Sequence, residues 1–333
     1  MDAIGFGVIG AGAIGRLHAQ HLAARIPGAR LVAVSDVSRE AAGACAKATG
    51  AASSGDHRAL LADPQVEAVV IASPPDTHAA LIEEAARAGK QIFCEKPIDC
   101  ELDKIDRALA AVARAGVKLQ IGFNRRFDAN YRAVRDAIAS GKVGRPLIVH
   151  IISRDPRLPV VSDTRSVAGM FLDMTVHDFD MARYLTGSEV TEVHALAGRM
   201  LHEAGDLDTA LLTLRFADGA FGTIDNGQTA YGYDQRVEVF GTEGMVASEN
   251  ERPHSATLTD SEGSHAGLPL YFFIERYAES YLRELREFVD CVREGAEPAV
   301  TGADGRVAVA IALAAQRSYD EGRPVLLSEV GEG

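Results

Sequence analysis

The stretch Ile4-Gly5-Phe6-Gly7-Val8-Ile9-Gly10-Ala11-Gly12-Ala13-Ile14-Gly15 turns from a short apolar run into three spaced glycines without a break. The apolar run reads as a buried parallel strand. An amphipathic stretch from Arg16 to Arg25 follows, so the glycines occupy a strand-to-helix turn. There each has a physical task. Gly10 permits the tight turn, Gly12 lacks the Cβ that would hold a pyrophosphate off the backbone, and Gly15 lets the helix pack closely on the sheet. The free N–H groups at the helix start, at Ala13, Ile14 and Gly15, and its positive dipole end would receive the anion. Glycine makes up 32 of the 333 residues, so the spacing alone carries little weight. The strand before it and the helix after it supply the rest.

Downstream the alternation continues. Leu31-Val32-Ala33-Val34 is a second apolar run and ends at Ser35-Asp36. Residues 38–49 read as a helix with Ser38 as N-cap and Gly50 beyond its end. Strands are predicted over Val66–Ala72, Gln91–Cys94 and Lys118–Gly122, and helices over Thr77–Ala88 and Glu101–Ala115, closed by Gly89 and Gly116. The alternation predicts βαβ units in a doubly wound parallel sheet. Asp36 stands 21 residues after Gly15, a spacing that suits a carboxylate accepting hydrogen bonds from the adenosine ribose hydroxyls. It would repel a 2′-phosphate, so NAD is expected over NADP, with Arg39 close enough to leave NADP use open. Two loops follow strand ends, Ser73-Pro74-Pro75-Asp76-Thr77-His78 and Glu95-Lys96-Pro97. Ligands of open α/β sheets bind beyond the carboxyl ends of the strands, which puts Ser73, Thr77, His78, Glu95 and Lys96 on the cofactor side. Lys96 precedes a proline and so avoids helix, which lets its ammonium project from the sheet edge.

The chain is 47% hydrophobic and 24% charged, an ordinary globular composition. Its length suggests two domains, expected at 1–122 and 123–333. The net charge of −13 argues against nucleic acid and anionic membranes as partners, since polyanion binding needs clustered Lys and Arg. The longest apolar stretch, Val307–Ala315, falls far short of the ~20 residues of a membrane span, and no basic leader precedes Ile4. Cys45, Cys94, Cys100 and Cys291 form no Cys-x-x-Cys pair. A disulfide framework is therefore not expected, and a soluble protein of a reducing cytoplasm is.

Beyond Gly122 the pattern changes. Asp128–Ser140 reads as a helix and Leu147–Ser153 as a strand. Glu189–Leu201, Thr209–Phe216, Ala220–Thr229 and Gln235–Phe240 are strand-like and joined by turns such as Ala217-Asp218-Gly219 and Thr242-Glu243-Gly244. A largely antiparallel open sheet with helices on one face is expected, with long helices over Phe272–Glu294 and Gly302–Glu321. No linker or repeat separates the halves, so direct packing with a cleft for a small molecule is expected. Within Gly169–Leu185, helical by its periodicity, Asp173, His177 and Asp180 fall at i, i+4 and i+7 and share one face. An imidazole takes up a proton near neutral pH, and a neighbouring carboxylate can orient it. A structural histidine or two metal ligands would fit the same spacing. No third and fourth ligand stands at recognisable spacing, so no metal is expected.

Over essentially its whole length the chain resembles the glucose–fructose oxidoreductase and inositol dehydrogenase family. The marks are the glycine turn continuing to Arg16-Leu17-His18, the Glu95-Lys96-Pro97 loop and the D-x-x-x-H helix. The strings Gly122–Asp128, Ser153–Pro156, Phe171–Arg183 and Tyr231–Arg236 are similar to the inositol 2-dehydrogenase branch. The resemblance implies an N-terminal Rossmann domain, a C-terminal α+β domain for substrate binding and oligomerisation, and NAD-dependent oxidation of a CH–OH group. The implied reaction converts myo-inositol to its 2-keto form, with scyllo-inositol, another polyol or a pyranose hexose as alternatives.

The resemblance also implies roles. Lys96 would hydrogen-bond the reacting hydroxyl, His177 would be the base, and Asp173 would hold the substrate and Lys96 in place. Arg125, Asp155, Asp180 and Tyr233 match positions that contact ring hydroxyls, and Pro97 commonly follows a cis peptide. Homotetramers or homodimers are implied. A non-catalytic NAD(H)-binding sensor would need the glycine turn but not Lys96, Asp173 and His177, and all three are present.

Overall fold

Six strands, β1 (Ile4–Ile9), β2 (Ala29–Ser35), β3 (Ala52–Ser54), β4 (Ala68–Ile71), β5 (Gln91–Glu95) and β6 (Leu119–Gly122), form one sheet in the order β3-β2-β1-β4-β5-β6. Every neighbouring pair is parallel. β1 and β4 are buried along their whole lengths, as strands covered on both faces must be. The crossovers contain α1 (Ala13–Ala24), α2 (Arg39–Thr49), α3 (His57–Ala62), α4 (His78–Arg87) and α5 (Leu102–Ala115). Their ends follow local chemistry. Ser38 Oγ accepts the Ala41 N–H at 3.2 Å to start α2, and Gly50 closes it at φ 75°. β3 and α3 are additional to the elements predicted above. Ala52-Ser53-Ser54 is short and has no apolar run, so its pairing with β2 leaves no trace in the sequence. The strand order reverses between β1 and β4, and that switch point is where such sheets bind ligands.

This computed structural model describes residues 3–156, 169–201 and 205–331. The chain divides into two units, Met1–Asn124 with Glu279–Val309, and Arg125–Ala278 with Ala310–Gly333. A boundary drawn in chain order does not contain the return of Glu279–Val309 to the first unit, because contacts between distant residues leave no local signal. The Ala278–Glu294 helix brings Leu282, Leu285, Phe288 and Val289 into the core formed by Phe6, Val8, Ala19, Leu22 and Phe93. Phe288 stands edge-on to Phe6 at 6.2 Å and to Phe93 at 5.9 Å between ring centroids.

The second unit holds α6 (Ala129–Ala139), β7 (Pro146–Pro156), α7 (Val176–Thr186), β8 (Val190–Gly198), β9 (Thr209–Phe216), β10 (Phe221–Thr229), β11 (Asp234–Gly241), β12 (Met245–Ser248), a hairpin of β13 (Thr257–Asp260) and β14 (Gly263–Ala266), and β15 (Val325–Leu326). Seven of the strands form a sheet in the order β12-β11-β7-β10-β9-β8-β15. All its pairs are antiparallel except β7 with β10. β9 alternates buried and exposed residues, the mark of a sheet covered on one face, and α7 packs against β7. On the other face Leu196 and Leu211 are cross-strand partners, 60% and 51% exposed.

The return of the Ala278–Glu294 helix makes a prediction about stability. Phe288 is fully buried, so Phe288→Ala should cost the first unit about 3–5 kcal/mol. Urea unfolding followed by circular dichroism checks it, and a cost near zero would mean that the helix does not hold that core together.

Candidate active site

The glycine turn is built by close approach. Gly10 has φ +101°, and a Cβ on it would stand 2.4 Å from the Ala72 carbonyl oxygen at the end of β4. A Cβ on Gly15 would lie 1.9 Å from the Gly10 carbonyl oxygen, so α1 can start this close to β1 only with glycine there. A Cβ on Gly12 would meet nothing within 4 Å. Gly12 and Ala13 are exposed, Ile14 is half-buried, and no side chain caps α1. The first N–H groups of the helix therefore face open space, which fits a pyrophosphate.

Asp36 has a task beyond the one its spacing suggests. Its Oδ2 accepts the Ala11 N–H at 2.7 Å and its Oδ1 accepts the Ser38 N–H at 2.8 Å. The carboxylate thus ties the glycine turn to the end of β2, and each oxygen keeps lone-pair capacity for a ribose hydroxyl.

The two loops beyond β4 and β5 are linked through a buried ring. His78, 1% exposed, places Nδ1 2.8 Å from the Pro97 carbonyl oxygen and Nε2 2.8 Å from the Ser73 carbonyl oxygen. It joins the loops from inside. Thr77 donates to the Pro74 carbonyl at 2.7 Å, and Ser73 Oγ lies 2.6 Å from Thr77 Oγ1. Lys96 is half-buried and the Lys96–Pro97 peptide is cis. Glu95, one residue earlier, has Oε1 2.7 Å from His18 Nε2. Among the described residues, His18, Glu95 and Glu284 are the one group whose metal-ligand-type atoms gather within 4.8 Å.

In the second unit the helix carrying Asp173 and His177 is not regular. Phe171–Thr175 is a π turn that runs into α7. Thr175 Oγ1 explains it, lying within hydrogen-bond reach of both the Met170 carbonyl oxygen at 3.3 Å and Asn226 Oδ1 at 2.5 Å. A side-chain hydroxyl at the ladder widens the turn. The regular i, i+4 phase therefore does not carry through from Asp173 to His177. Asp173 is exposed and His177 is half-buried.

Asp180 is 1% exposed and takes a two-pronged pair from Arg126, Nε at 2.8 Å and Nη2 at 2.6 Å. It lies within an ion pair and not on an open polar face. Arg125, 3% exposed, pairs with Asp178 at 2.5 Å and reaches Ser153 Oγ at 3.2 Å and Tyr233 Oη at 3.4 Å. Asn226 Nδ2 donates to Asp178 at 2.9 Å. Burial pushes the Asp178 carboxyl up, opposed by Arg125 and the Asn226 hydrogen bond. Burial likewise pushes the Tyr233 phenol up. Asp155 is half-buried on β7, opposite Gln228 of β10. Arg126, Asp178 and Asn226 were not singled out from the sequence. Asp178 lies beside His177 in the quoted string, but only the fold gives it a cation.

A parallel sheet in this order, with an open glycine turn at its switch point and a carboxylate at the end of β2, defines an NAD-binding oxidoreductase fold. Residues 4–123 match the model of an oxidoreductase family with an NAD-binding Rossmann fold, and residues 131–247 match the GFO/IDH/MocA C-terminal domain. The chain belongs to the GFO/IDH/MocA family of oxidoreductases. It is 46% identical to the uncharacterized oxidoreductase YrbE of Bacillus subtilis, over 96% of this chain and 95% of that one. It is 44% identical to the myo-inositol 2-dehydrogenase of Thermotoga maritima, over 97% and 98%. Among solved structures, scyllo-inositol dehydrogenase from Lactobacillus casei with bound NAD(H) and scyllo-inositol superposes with a TM-score of 0.92 at 29% identity, over 98% of this chain and 100% of that one. The chain is thus an NAD-dependent oxidoreductase. Among the described residues no helix is long and apolar enough to cross a membrane.

The two inner glycines of the turn should respond differently to substitution. Gly12→Val should melt like the parent without nucleotide and lose NAD affinity by about tenfold or more, as a Cβ enters the pyrophosphate approach. Gly15→Val should lose about 1–3 kcal/mol of stability or more through overpacking. Calorimetric NAD titration and thermal melting read both, and a Gly12→Val protein with parental NAD affinity would remove the turn from the cofactor site.

Proposed function

We propose that this chain oxidises myo-inositol to its 2-keto form with NAD. The observation that carries the reading is the 44% identity, along almost the full length of both chains, to a myo-inositol 2-dehydrogenase. Bound NAD supplies the hydride acceptor for the reaction. The N–H groups of Gly12 and of the first residues of α1, Ala13, Ile14 and Gly15, hold its pyrophosphate and Asp36 its ribose, with the Ser73–Thr77 loop beside them. Oxidising a secondary alcohol also requires that the hydroxyl proton leave. Lys96 Nζ donates to that oxygen and stabilises developing alkoxide character. A ring nitrogen of His177 takes the proton. Asp173 orients the substrate and Lys96.

A polyol buries many hydroxyls, and each needs a partner. Arg125, Asp155 and Tyr233 serve ring hydroxyls. Asp180, paired with Arg126, is assigned to a ring hydroxyl with them. The first unit is the cofactor domain and the second the substrate domain. The exposed apolar residues on the open face of the second sheet, with Phe221, Phe240 and Met245 beside Leu196 and Leu211, support a homodimer or homotetramer. Four free cysteines, three of them buried, suit a reducing cytoplasm.

A second reading exchanges myo-inositol for scyllo-inositol, favoured by the fold shared with the Lactobacillus casei enzyme. Initial rates of NAD reduction across myo-inositol, scyllo-inositol and glucose separate the two. The highest kcat/KM should be with myo-inositol, and turnover of glucose but of no inositol would overturn the proposal. Lys96→Ala and His177→Ala should each lower kcat about a thousandfold while NAD affinity moves less than about threefold. In the parent, the rate should fall as acid protonates His177. Full rate in both variants would remove them from the chemistry.

A further inference from the structure

The most unusual buried group in the first unit is a carboxyl that the reaction above does not use. Glu284 is fully buried on the Ala278–Glu294 helix. Neither of its oxygens has a hydrogen-bond partner among the described residues. A buried polar group in that state needs a physical reason. Its surroundings supply one, since an oxygen of Glu284 lies within 4.8 Å of donor atoms of His18, from α1, and of Glu95, at the end of β5. His18 is fully buried, and its Nε2 is 2.7 Å from Glu95 Oε1, whose side chain is 12% exposed. The site is shaped for that carboxylate. Gly122 faces Glu95 across β5 and β6, and a Cβ on Gly122 would come within 3.0 Å of Glu95 Oε2. Gln120 of β6 is fully buried and donates to the Glu284 backbone carbonyl at 3.0 Å, which fixes the helix above the site. The residue after Glu95 is Lys96.

We propose that His18, Glu95 and Glu284 form one acid–base cluster that sets the carboxyl end of β5, and through it the ammonium of Lys96, with Glu284 as the positioning residue. The proposal rests on the reading of Lys96 given above. Two carboxyls this close in a largely buried site, with one imidazole beside them, cannot both carry charge at little cost. Burial is the larger influence on Glu284 and Glu95 the second, and both push its carboxyl well above the ordinary range. A neutral Glu284 spares the cluster the repulsion of two adjacent carboxylates. Ionising Glu284 would place a second negative charge against Glu95 and displace the strand end that carries Lys96. Of the groups beside His18, His21 of α1 is held down to about 4 by burial and by His18, and Tyr281 stands edge-on to the ring at 6.0 Å, so neither brings a compensating positive charge at neutral pH.

The sign of the linkage gives a test that needs neither cofactor nor substrate. A carboxyl whose pKa is raised by folding contributes most below its unfolded value, and that contribution is lost as pH rises through the folded value. Glu284→Gln cannot ionise, so its melting temperature should gain on the parent steadily between about pH 5 and about pH 8. Ionisation of Glu284 should give the parent an alkaline fall in kcat, and that fall should move to higher pH in Glu284→Gln. Glu284→Leu should lower kcat about tenfold with the KM for NAD changing less than about twofold.

A melting difference that is flat with pH would overturn the cluster. A sloping difference with an unmoved alkaline limb would overturn its link to Lys96. Stoichiometric divalent metal in the purified parent, lost in Glu284→Gln, would overturn it in favour of a metal site. If Lys96→Ala kept full rate, the reading of Lys96 would fail while the melting result stood, so the two failures are distinguishable.

Discussion

The first unit depends on how closely α1 begins to the end of β1. The carbonyl of Gly10 occupies the space where any side chain at position 15 would lie. The helix therefore starts directly above the strand end, with its uncapped N–H groups exposed. An acidic chain can bind a pyrophosphate there because the field is local, set by aligned peptide dipoles and free donors and not by net charge. Asp36 completes the constraint. By accepting the Ala11 N–H it holds the turn against β2, so the carboxylate expected to read the ribose also shapes the pyrophosphate site.

The second unit is held by a different kind of constraint, buried charge. It buries ion pairs between Arg125 and Asp178, Arg126 and Asp180, and Arg276 and Asp128. Such pairs are weak arguments for stability, because desolvation offsets much of their attraction. Breaking one by removing a partner is another matter, at about 3–5 kcal/mol. Their value here is fixed geometry. Arg125 cannot swing while Asp178, Ser153 and Tyr233 surround it, and Asp178 is held in turn by Asn226. The π turn at Phe171–Thr175 belongs to the same arrangement, since the hydroxyl that widens it also reaches Asn226.

What the sequence made legible follows from how local each signal is. The glycine turn, the caps at Ser38 and Gly50 and the alternation of strand and helix are local, and the structure has them within a few residues of their predicted bounds. The return of the Ala278–Glu294 helix to the first core was not legible, because its partners Phe6 and Phe93 lie far away along the chain. β3 leaves no signal, because three small residues, Ala52, Ser53 and Ser54, at a sheet edge have no periodicity. The identity of the site residues was partly legible. Arg125 and Asp180 stood out from the resemblance, but their partners, Asp178 and Arg126, emerge only once the fold brings the elements together. His78 was expected on the cofactor side from its loop, and its role in joining two loops from within was not legible.

In the proposed reaction a hydride passes from a ring carbon of myo-inositol to NAD. The most direct measurement supplies NAD and myo-inositol carrying deuterium on C2 and follows the label by mass spectrometry. The reduced nicotinamide should carry the deuterium, and the polyol should be recovered as the 2-keto product. Reduced nicotinamide without the label, or no reduction with any inositol, would contradict it.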